Sequence, residues 1–181
     1  IRKFALKTRN SLSGKQIKSK SAAIAKKLFS LPEFRDSKTI FTYISFGSEV
    51  STREIIKKCL GLGKTVAVPV ADLRKRNLIP VKFTSFSALK KSRFGVQEPD
   101  LKKSGKIPAS DIDLVIVPGV AFDLNRNRIG YGKGFYDRFL SRHSRVKNIA
   151  LAFGLQILKK IPSGNADMKV MKILSEKRTI G

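Results

Sequence analysis

Apolar residues near the start of the chain recur at helical spacing. Over residues 11–31, side chains such as Ile17 and Leu28 fall on one helical face, which predicts an amphipathic helix. Ser13 precedes this run and is of a residue type that caps helix N-termini, so we expect the helix to begin there. Pro32 should end it, because proline interrupts the hydrogen bonding of a helix interior.

The next segment changes period and then returns to a helical pattern. Residues 38–45 are rich in β-branched and aromatic side chains, which predicts a strand. Residues 52–63 predict a helix closed by Gly61 or Gly63, and residues 64–70 predict a second strand. A strand, helix and strand in this order imply a parallel pair of strands joined by a right-handed crossover.

The second half of the chain continues the sheet. Residues 77–86 predict another strand, whereas residues 90–110 are polar and contain glycine and proline, which favours a loop. Residues 111–122 form a nearly continuous apolar run, as in a central buried strand. Further strands are predicted at 147–153 and within 169–180. The pattern predicts an α/β fold, namely a three-layer α/β/α domain with a mainly parallel sheet.

Length and composition add limits to this picture. The chain has 181 residues, which suits a single domain over residues 1–181 with a substantial core. Its apolar runs are far shorter than the roughly 20 residues of a membrane-spanning helix, so we expect no membrane partner. The single cysteine, Cys59, falls in the predicted helix at 52–63 and is expected to be buried. A cytoplasmic location is the natural expectation.

The chain is strongly basic, with 38 Lys and Arg against 13 Asp and Glu and a formal net charge of +25. Such an excess favours anionic partners, including nucleic acid, nucleotide phosphates and polycarboxylates. The alternative is that the basic residues only solvate helix faces, because they are spread along the chain without a dense tract. We expect no specific nucleic-acid partner, since neither a basic tail nor an aromatic and basic RNA-binding motif is present.

The stretch RIGYGKGFYDRFL, from Arg128 to Leu140, places a glycine at every second position before a predicted helix: Gly130, Gly132 and Gly134. Glycines let a backbone approach a ligand closely, and successive N–H groups at a helix start form an anion-binding concavity. Arg128 and Lys133 add full positive charges. The spacing matches neither the P-loop nor the GxGxxG pattern. Phosphate binding is therefore the direct interpretation, and a sharp turn into the helix is the alternative.

Asp137 lies one turn into the helix that follows these glycines. A carboxylate at that place could hold Mg²⁺, which takes oxygen ligands and bridges phosphates. The alternative is an ion pair on the helix surface with Arg138 or Arg142.

Residues 117–140 as a whole, VPGVAFDLNRNRIGYGKGFYDRFL, closely resemble the signature of the 5-formyltetrahydrofolate cyclo-ligase family, also called methenyltetrahydrofolate synthetases. Shorter matches occur in the expected order over nearly the whole chain: RNSLS (9–13), LPEF (31–34), YISFGSEVSTREII (43–56), GKTVAVPV (63–70), FGVQEP (94–99) and ADMKV (166–170).

The resemblance implies an enzyme that uses ATP as co-substrate and Mg²⁺ as cofactor. Its substrate would be 5-formyltetrahydrofolate, whose formyl oxygen attacks the γ-phosphate of ATP. That attack releases ADP and leaves a phosphorylated imidate, and ring closure on its carbon then gives 5,10-methenyltetrahydrofolate and phosphate. We expect a monomer that acts on small molecules.

The resemblance also implies roles for individual residues. Lys133 and Arg128 would be catalytic, with Lys133 meeting the transferred phosphoryl group. Asp137 and Asp167 would bind the metal ion. The residues implied to bind ATP are Arg2, Arg128, Ile129, Gly130, Tyr131, Gly132, Lys133, Gly134, Phe135 and Tyr136. Those implied to bind the folate are Ile44, Glu49 and Phe135, with the Glu49 carboxylate accepting hydrogen bonds from the pterin.

Other interpretations of these residues remain open from the sequence. Glu49 could be a loop acid before a helix cap at Ser51 or Thr52, and Asp167 could be a turn residue after Gly164. Two other functions also remain, each with its own motivation. The charge of +25 would suit a nucleic-acid-binding protein. An α/β fold would also suit a sugar-phosphate isomerase or CoA-transferase relative that does not use ATP.

Overall fold

The structure, a computed structural model, describes residues 1–92, 95–101 and 103–181. Its α-helices are α1 (Arg2–Asn10), α2 (Gly14–Ser30), α3 (Pro32–Arg35), α4 (Arg53–Gly61) and α5 (Phe135–Arg142). Ser13 caps α2 as predicted: its Oγ accepts a hydrogen bond from the Gln16 N–H, and Gln16 Oε1 accepts one from the Ser13 N–H. Pro32 does more than end that helix, because it is also the first residue of α3.

The strands follow in chain order: β1 (Thr39–Thr42), β2 (Thr65–Asp72), β3 (Asn77–Lys82), β4 (Leu89–Lys91), β5 (Gln97–Pro99), β6 (Leu114–Val117), β7 (Ala121–Asp123), β8 (Arg128–Ile129), β9 (Lys147–Leu151), β10 (Ile157–Leu158), β11 (Lys172–Leu174) and β12 (Thr179–Ile180). Within the described residues, the largest sheet has seven strands in the order β12-β11-β9-β6-β1-β2-β3. Its five central strands are parallel, and β3 and β12 run antiparallel at its two edges.

Helices cover both faces of this sheet. On one face, α2, α3 and α4 pack over side chains such as Ile40 and Ile116, and on the other α5 packs over Phe41 and Val117. Neighbouring strand residues point to opposite faces, so each central strand contributes to both clusters. The three-layer α/β/α prediction with a mainly parallel sheet is therefore confirmed.

The helix α4 also matches its prediction in detail. It ends at Gly61, and Gly63 adopts a positive φ of 69° just beyond it, as a C-terminal glycine does. Cys59 is fully buried in α4, and burial raises the pKa of its thiol to about 11. Within the described part of the chain, no helix is long and apolar enough to cross a bilayer.

One prediction of local structure is wrong. Residues 111–122 do not form one strand: β6 belongs to the large sheet, whereas β7 pairs with β8 and β10 in a separate small sheet. The strand ends before Gly119, where a Cβ would lie 2.3 Å from the Phe122 ring.

Residues 90–110, of which 93, 94 and 102 lie outside the described residues, are mostly loop where they are described, as predicted. They also include β5 and most of β4, two short strands that pair as a hairpin and that the sequence did not predict.

Candidate active site

A cavity of about 950 Å³ opens beside the carboxyl ends of the central strands. Tyr43, which follows β1, and Pro118, which follows β6, both line it. Parallel α/β sheets bind their ligands at this edge. The cavity has a volume within the range of small-molecule sites. Other parts of the lining come from residues 128–137, which we call the glycine-rich loop, from the N-terminus and from the hairpin of β4 and β5.

Local geometry favours glycine at all three glycine positions of the glycine-rich loop. Gly132 has a φ of +96°, and Gly134, the N-cap of α5, has a φ of +63°. Both values lie in the left-handed region that other residues adopt only at a cost. At Gly130 a Cβ would lie 2.8 Å from Nη1 of Arg128. The loop therefore brings bare backbone to the cavity wall directly before a helix start, as the phosphate-binding interpretation requires.

Two further cations lie at this loop. Arg2 donates a hydrogen bond from Nε to the Gly130 carbonyl, 2.9 Å away. A Cβ on Gly132 would be 3.6 Å from the Arg2 guanidinium, so the side chain covers this part of the loop. Lys133 is exposed, and both residues line the cavity. The structure thus brings Arg2, from the other end of the chain, to the residues with which the sequence grouped it.

The glycine-rich loop is closed from below by an ion pair between its two ends. Arg128 donates from Nη2 to Asp137 Oδ1 at 2.7 Å, and the two side chains are only 3% and 19% exposed. The same oxygen accepts a hydrogen bond from the Met168 N–H at 3.2 Å. Asp137 is therefore in an ion pair, but its partner is Arg128 and not Arg138 or Arg142, as the alternative from the sequence had it.

The two predicted metal ligands line the same cavity. Asp137 uses Oδ1 for both of its hydrogen bonds, and Asp167 accepts one bond from the Gly164 N–H at 2.8 Å. Asp167 thus also closes a turn with Gly164, as its alternative interpretation suggested. Across residues 1–92, 95–101 and 103–181, no group of three or more His, Cys, Asp or Glu side chains could hold a metal ion.

Glu49 lines the same cavity and is buried. Its Oε2 accepts a hydrogen bond from the Phe46 N–H at 3.2 Å, and its Oε1 accepts one from the Tyr131 hydroxyl. Burial raises the pKa of Glu49 above its ordinary value, while these two hydrogen bonds and the charge of Arg9 act in the opposite direction. Glu49 also lies in the turn before Thr52, the N-cap of α4, as its alternative interpretation has it.

Aromatic and apolar side chains also line the cavity. Ile44 is buried and lines the cavity, as does Phe135, which has no hydroxyl to offer a ligand. Phe46 packs against the Tyr131 ring with centroids 5.8 Å apart. Tyr136 also lines the cavity, and its buried hydroxyl has no hydrogen-bond partner among the described residues. An orphaned hydroxyl of this kind is a place where a polar ligand atom would be stabilised.

Sequence reasoning missed two charged residues. Arg9 in α1 is 3% exposed and bonds to the Tyr131 hydroxyl. The sequence offered one signal, the helical spacing: Arg9 lies four residues after the apolar Ala5, so a helix puts both on one face, and the structure buries that face. Glu98 in β5 lines the cavity, and burial raises the pKa of its carboxyl. Its segment was predicted to be a loop, so nothing in the sequence pointed it inward.

Comparisons with known proteins identify the family of the chain. The model of the 5-formyltetrahydrofolate cyclo-ligase family matches residues 1–176. The chain is 33% identical to 5-formyltetrahydrofolate cyclo-ligase of Mus musculus over 176 residues, covering 91% of this chain and 86% of the relative. It is 30% identical to a probable 5-formyltetrahydrofolate cyclo-ligase of Caenorhabditis elegans, with coverages of 99% and 93%.

A solved structure is also similar over nearly the whole chain. The NMR structure of Aquifex aeolicus 5,10-methenyltetrahydrofolate synthetase matches with a TM-score of 0.83 and 31% identity, over 99% of this chain and 89% of that chain. The chain therefore belongs to the 5-formyltetrahydrofolate cyclo-ligase family and is an enzyme of that family, which confirms the resemblance seen in the sequence.

Proposed function

We propose that the protein converts 5-formyltetrahydrofolate to 5,10-methenyltetrahydrofolate and uses ATP, with Mg²⁺, to activate the formyl oxygen. The observation that carries the proposal is that two features line one cavity: the glycine-rich loop with its cations, and the buried carboxylate of Glu49. A triphosphate and a pterin can therefore meet inside a single cavity. Membership of the cyclo-ligase family supports this substrate.

The chemistry explains why a nucleotide is needed. A formamide oxygen is a poor leaving group, so the formyl oxygen attacks the γ-phosphorus and ADP departs. The formyl carbon, whose oxygen now carries the phosphoryl group, is then an electrophile, and the neighbouring amine nitrogen of the folate adds to it. Loss of the proton from that nitrogen and of phosphate from the carbon gives the methenyl cation. Phosphoryl transfer asks the protein mainly for positioning and charge neutralisation.

The glycine-rich loop and its cations meet those two demands. The N–H groups of Gly130, Gly132 and Gly134 face a phosphate chain, and the N-terminus of α5 adds its positive end. Arg2 braces the loop through the Gly130 carbonyl, and its charge stays next to the phosphates. Lys133 is exposed at the cavity, and its ammonium group is a point charge that stabilises the phosphoryl group during transfer. Ile129, Tyr131 and Tyr136 complete this wall.

The folate binds in the same cavity at Glu49. The amino-pyrimidinone edge of the pterin donates two hydrogen bonds to the ionised Glu49, and Ile44 and Phe135 pack against its ring. The glutamate tail is anionic, and the excess of basic residues draws it and ATP toward the protein.

The residues present fit a magnesium ion that is shared with phosphates. Mg²⁺ usually binds through one or two carboxylates, with phosphate oxygens and waters as its other ligands. Asp137 and Asp167 supply such a pair at the cavity, and the described residues form no larger cluster that would suit an all-protein cage. Magnesium, when bound there, would neutralise negative charge on the phosphates. Arg128 holds Asp137 in place through the buried ion pair.

The test is an incubation of the purified protein with 5-formyltetrahydrofolate and Mg-ATP, followed by the absorbance of the methenyl product. We expect product to form only when ATP and magnesium are both present, with one ADP released per methenyl group. No product, or product formed equally well without ATP, would contradict the proposal. The second result would favour the isomerase or transferase alternative, in which the fold is kept and ATP is not used.

A further inference from the structure

Arg9 is a buried cation whose nearest partners are hydroxyl groups. It is 3% exposed, donates from Nε to Ser48 Oγ at 3.0 Å and donates from Nη2 to the Tyr131 hydroxyl at 3.0 Å. Among the described residues, no carboxylate forms an ion pair with it. A buried charge without an opposite charge is costly, so its compensation must come through these hydroxyls.

The Tyr131 hydroxyl supplies that link. It accepts from Arg9 and donates to Glu49 Oε1, so a single phenol stands between a buried cation and a buried anion. Ser48, the other partner of Arg9, is the residue directly before Glu49 in the chain. Arg9 therefore holds Glu49 from two directions, through the phenol and through the backbone. Arg9 itself is not among the residues that line the cavity.

We propose that Arg9 is a positioning residue of the active site, which keeps Glu49 ionised and aligned for the pterin through Tyr131 and Ser48. It acts from behind the cavity and touches neither substrate. The inference rests on the proposed role of Glu49 in binding the folate. It predicts that the charge of Arg9, and not only its packing, sets the pH range in which the folate binds.

The groups that act electrostatically on Glu49 come from several elements. They are Arg9 from α1, Tyr131 from the glycine-rich loop, Tyr136 from α5 and Tyr43 from the segment after β1. Arg9 is the only cation among them. The phenols stay neutral, because burial raises the pKa of Tyr43 and of Tyr136 well above the ordinary value. Loss of the Arg9 charge therefore leaves Glu49 without a cation to offset its burial.

The test compares Arg9→Gln, which is neutral, with Arg9→Lys, which keeps the charge. The first measurement is the pKa of Glu49 by NMR titration of ¹³C-labelled glutamate, and the second is the pH dependence of folate binding. A nearby opposite charge lowers a carboxyl pKa by about 1 to 3 units, and the Arg9 charge is the smallest of the three influences that lower the pKa of Glu49, so the low end of that range applies. We expect R9Q to raise the Glu49 pKa by about one unit and to move the acidic limit of folate binding upward equally. R9K should produce less than half of that shift.

The outcomes separate this inference from the proposed function. An unchanged Glu49 pKa in R9Q, or equal shifts in R9Q and R9K, would overturn the role of the Arg9 charge. A shifted pKa with an unchanged pH profile of folate binding would support the link between Arg9 and Glu49, but it would contradict the proposed pterin contact. If R9Q does not fold, Tyr131→Phe removes the connecting hydroxyl and should also raise the Glu49 pKa. An unchanged value there would refute the link.

Discussion

Replacing Gly132 by alanine should weaken nucleotide binding as well as the fold, whereas the same substitution at a glycine of similar φ outside the cavity should weaken only the fold. Gly132 has a φ of +96°, which an L residue adopts only at a cost of about 1 to 3 kcal/mol. Space is not the obstacle, because the nearest atom to a new Cβ would be 3.6 Å away, on Arg2. The effect of the substitution is thus backbone strain, which the loop can relieve only by rotating its N–H groups.

Rotation of those groups should cost affinity for ATP. A hydrogen bond to a charged acceptor contributes about 1.5 to 3 kcal/mol, so one misdirected N–H group weakens binding by about 10- to 100-fold. The strained backbone should also lower the free energy of unfolding. For a chain of this length, about 1 to 2 kcal/mol lowers the melting temperature by roughly 2 to 8 °C.

The chain offers a matched control in Gly63. It has a φ of +69° and nothing within 4 Å of a new Cβ, but it lies after α4 and does not line the cavity. We therefore expect Gly63→Ala to lose a similar amount of stability and to bind ATP normally. The assay is calorimetric titration with a non-hydrolysable ATP analogue, together with thermal unfolding of each variant. Equal nucleotide affinities in the two variants would refute the reasoning.

Three further substitutions test other parts of the account. Lys133→Ala should reduce turnover by about 100-fold, because it removes charge from the phosphoryl path, while its melting temperature stays unchanged; near-normal turnover would count against this role. Glu49→Gln should raise the Kd for the folate by about tenfold or more, because the pterin contact loses a charged acceptor. The Kd for ATP should change much less, because the new amide oxygen can still accept the hydrogen bond from the Tyr131 hydroxyl; equal losses for both ligands would contradict the pterin role. Asp123→Asn should lower the free energy of unfolding in urea at pH 7 by about 3 kcal/mol. The buried Asp123 carboxylate accepts hydrogen bonds from three backbone N–H groups and from one side-chain amide, and these come from Asn125, Asn127 and Ile161. Burial raises the pKa of Asp123, but these bonds outweigh it and hold the pKa below its ordinary value, so the unmodified protein should lose this increment only as the pH falls below about 4. An exposed control, Asp36→Asn, should leave the stability at pH 7 unchanged.

The sequence predicted those features whose cause is local. The cap at Ser13 and the closing glycine at Gly63 depend on residues within a few positions, and both are where the pattern placed them. The same holds for the start of α5 directly after Gly134. Where strand pairing with distant residues decided the structure, prediction failed. The apolar run at 111–122 is split between two sheets, because β7 pairs with β8 and β10 and not with the large sheet.

Parts of the active site depend on contacts between distant positions. Tyr131 bonds to Glu49, 82 residues away along the chain, and to Arg9, 122 residues away. Neither contact leaves a periodic signal in one sequence. The family resemblance grouped Glu49 with the glycine-rich loop, but it could not show that a phenol joins them or that a buried arginine stands behind the phenol. The partner of Asp137 was also missed, because the turn brings Arg128 back beneath the loop.

The central claim is that the glycine-rich loop holds a triphosphate within reach of a folate bound at Glu49. The most direct test is a crystal structure of the protein with a non-hydrolysable ATP analogue, magnesium and 5-formyltetrahydrofolate. We predict that the phosphates lie against the backbone of residues 130–134 and that the pterin edge meets the Glu49 carboxylate. A triphosphate bound outside residues 128–137, or a pterin bound away from Glu49, would contradict the account.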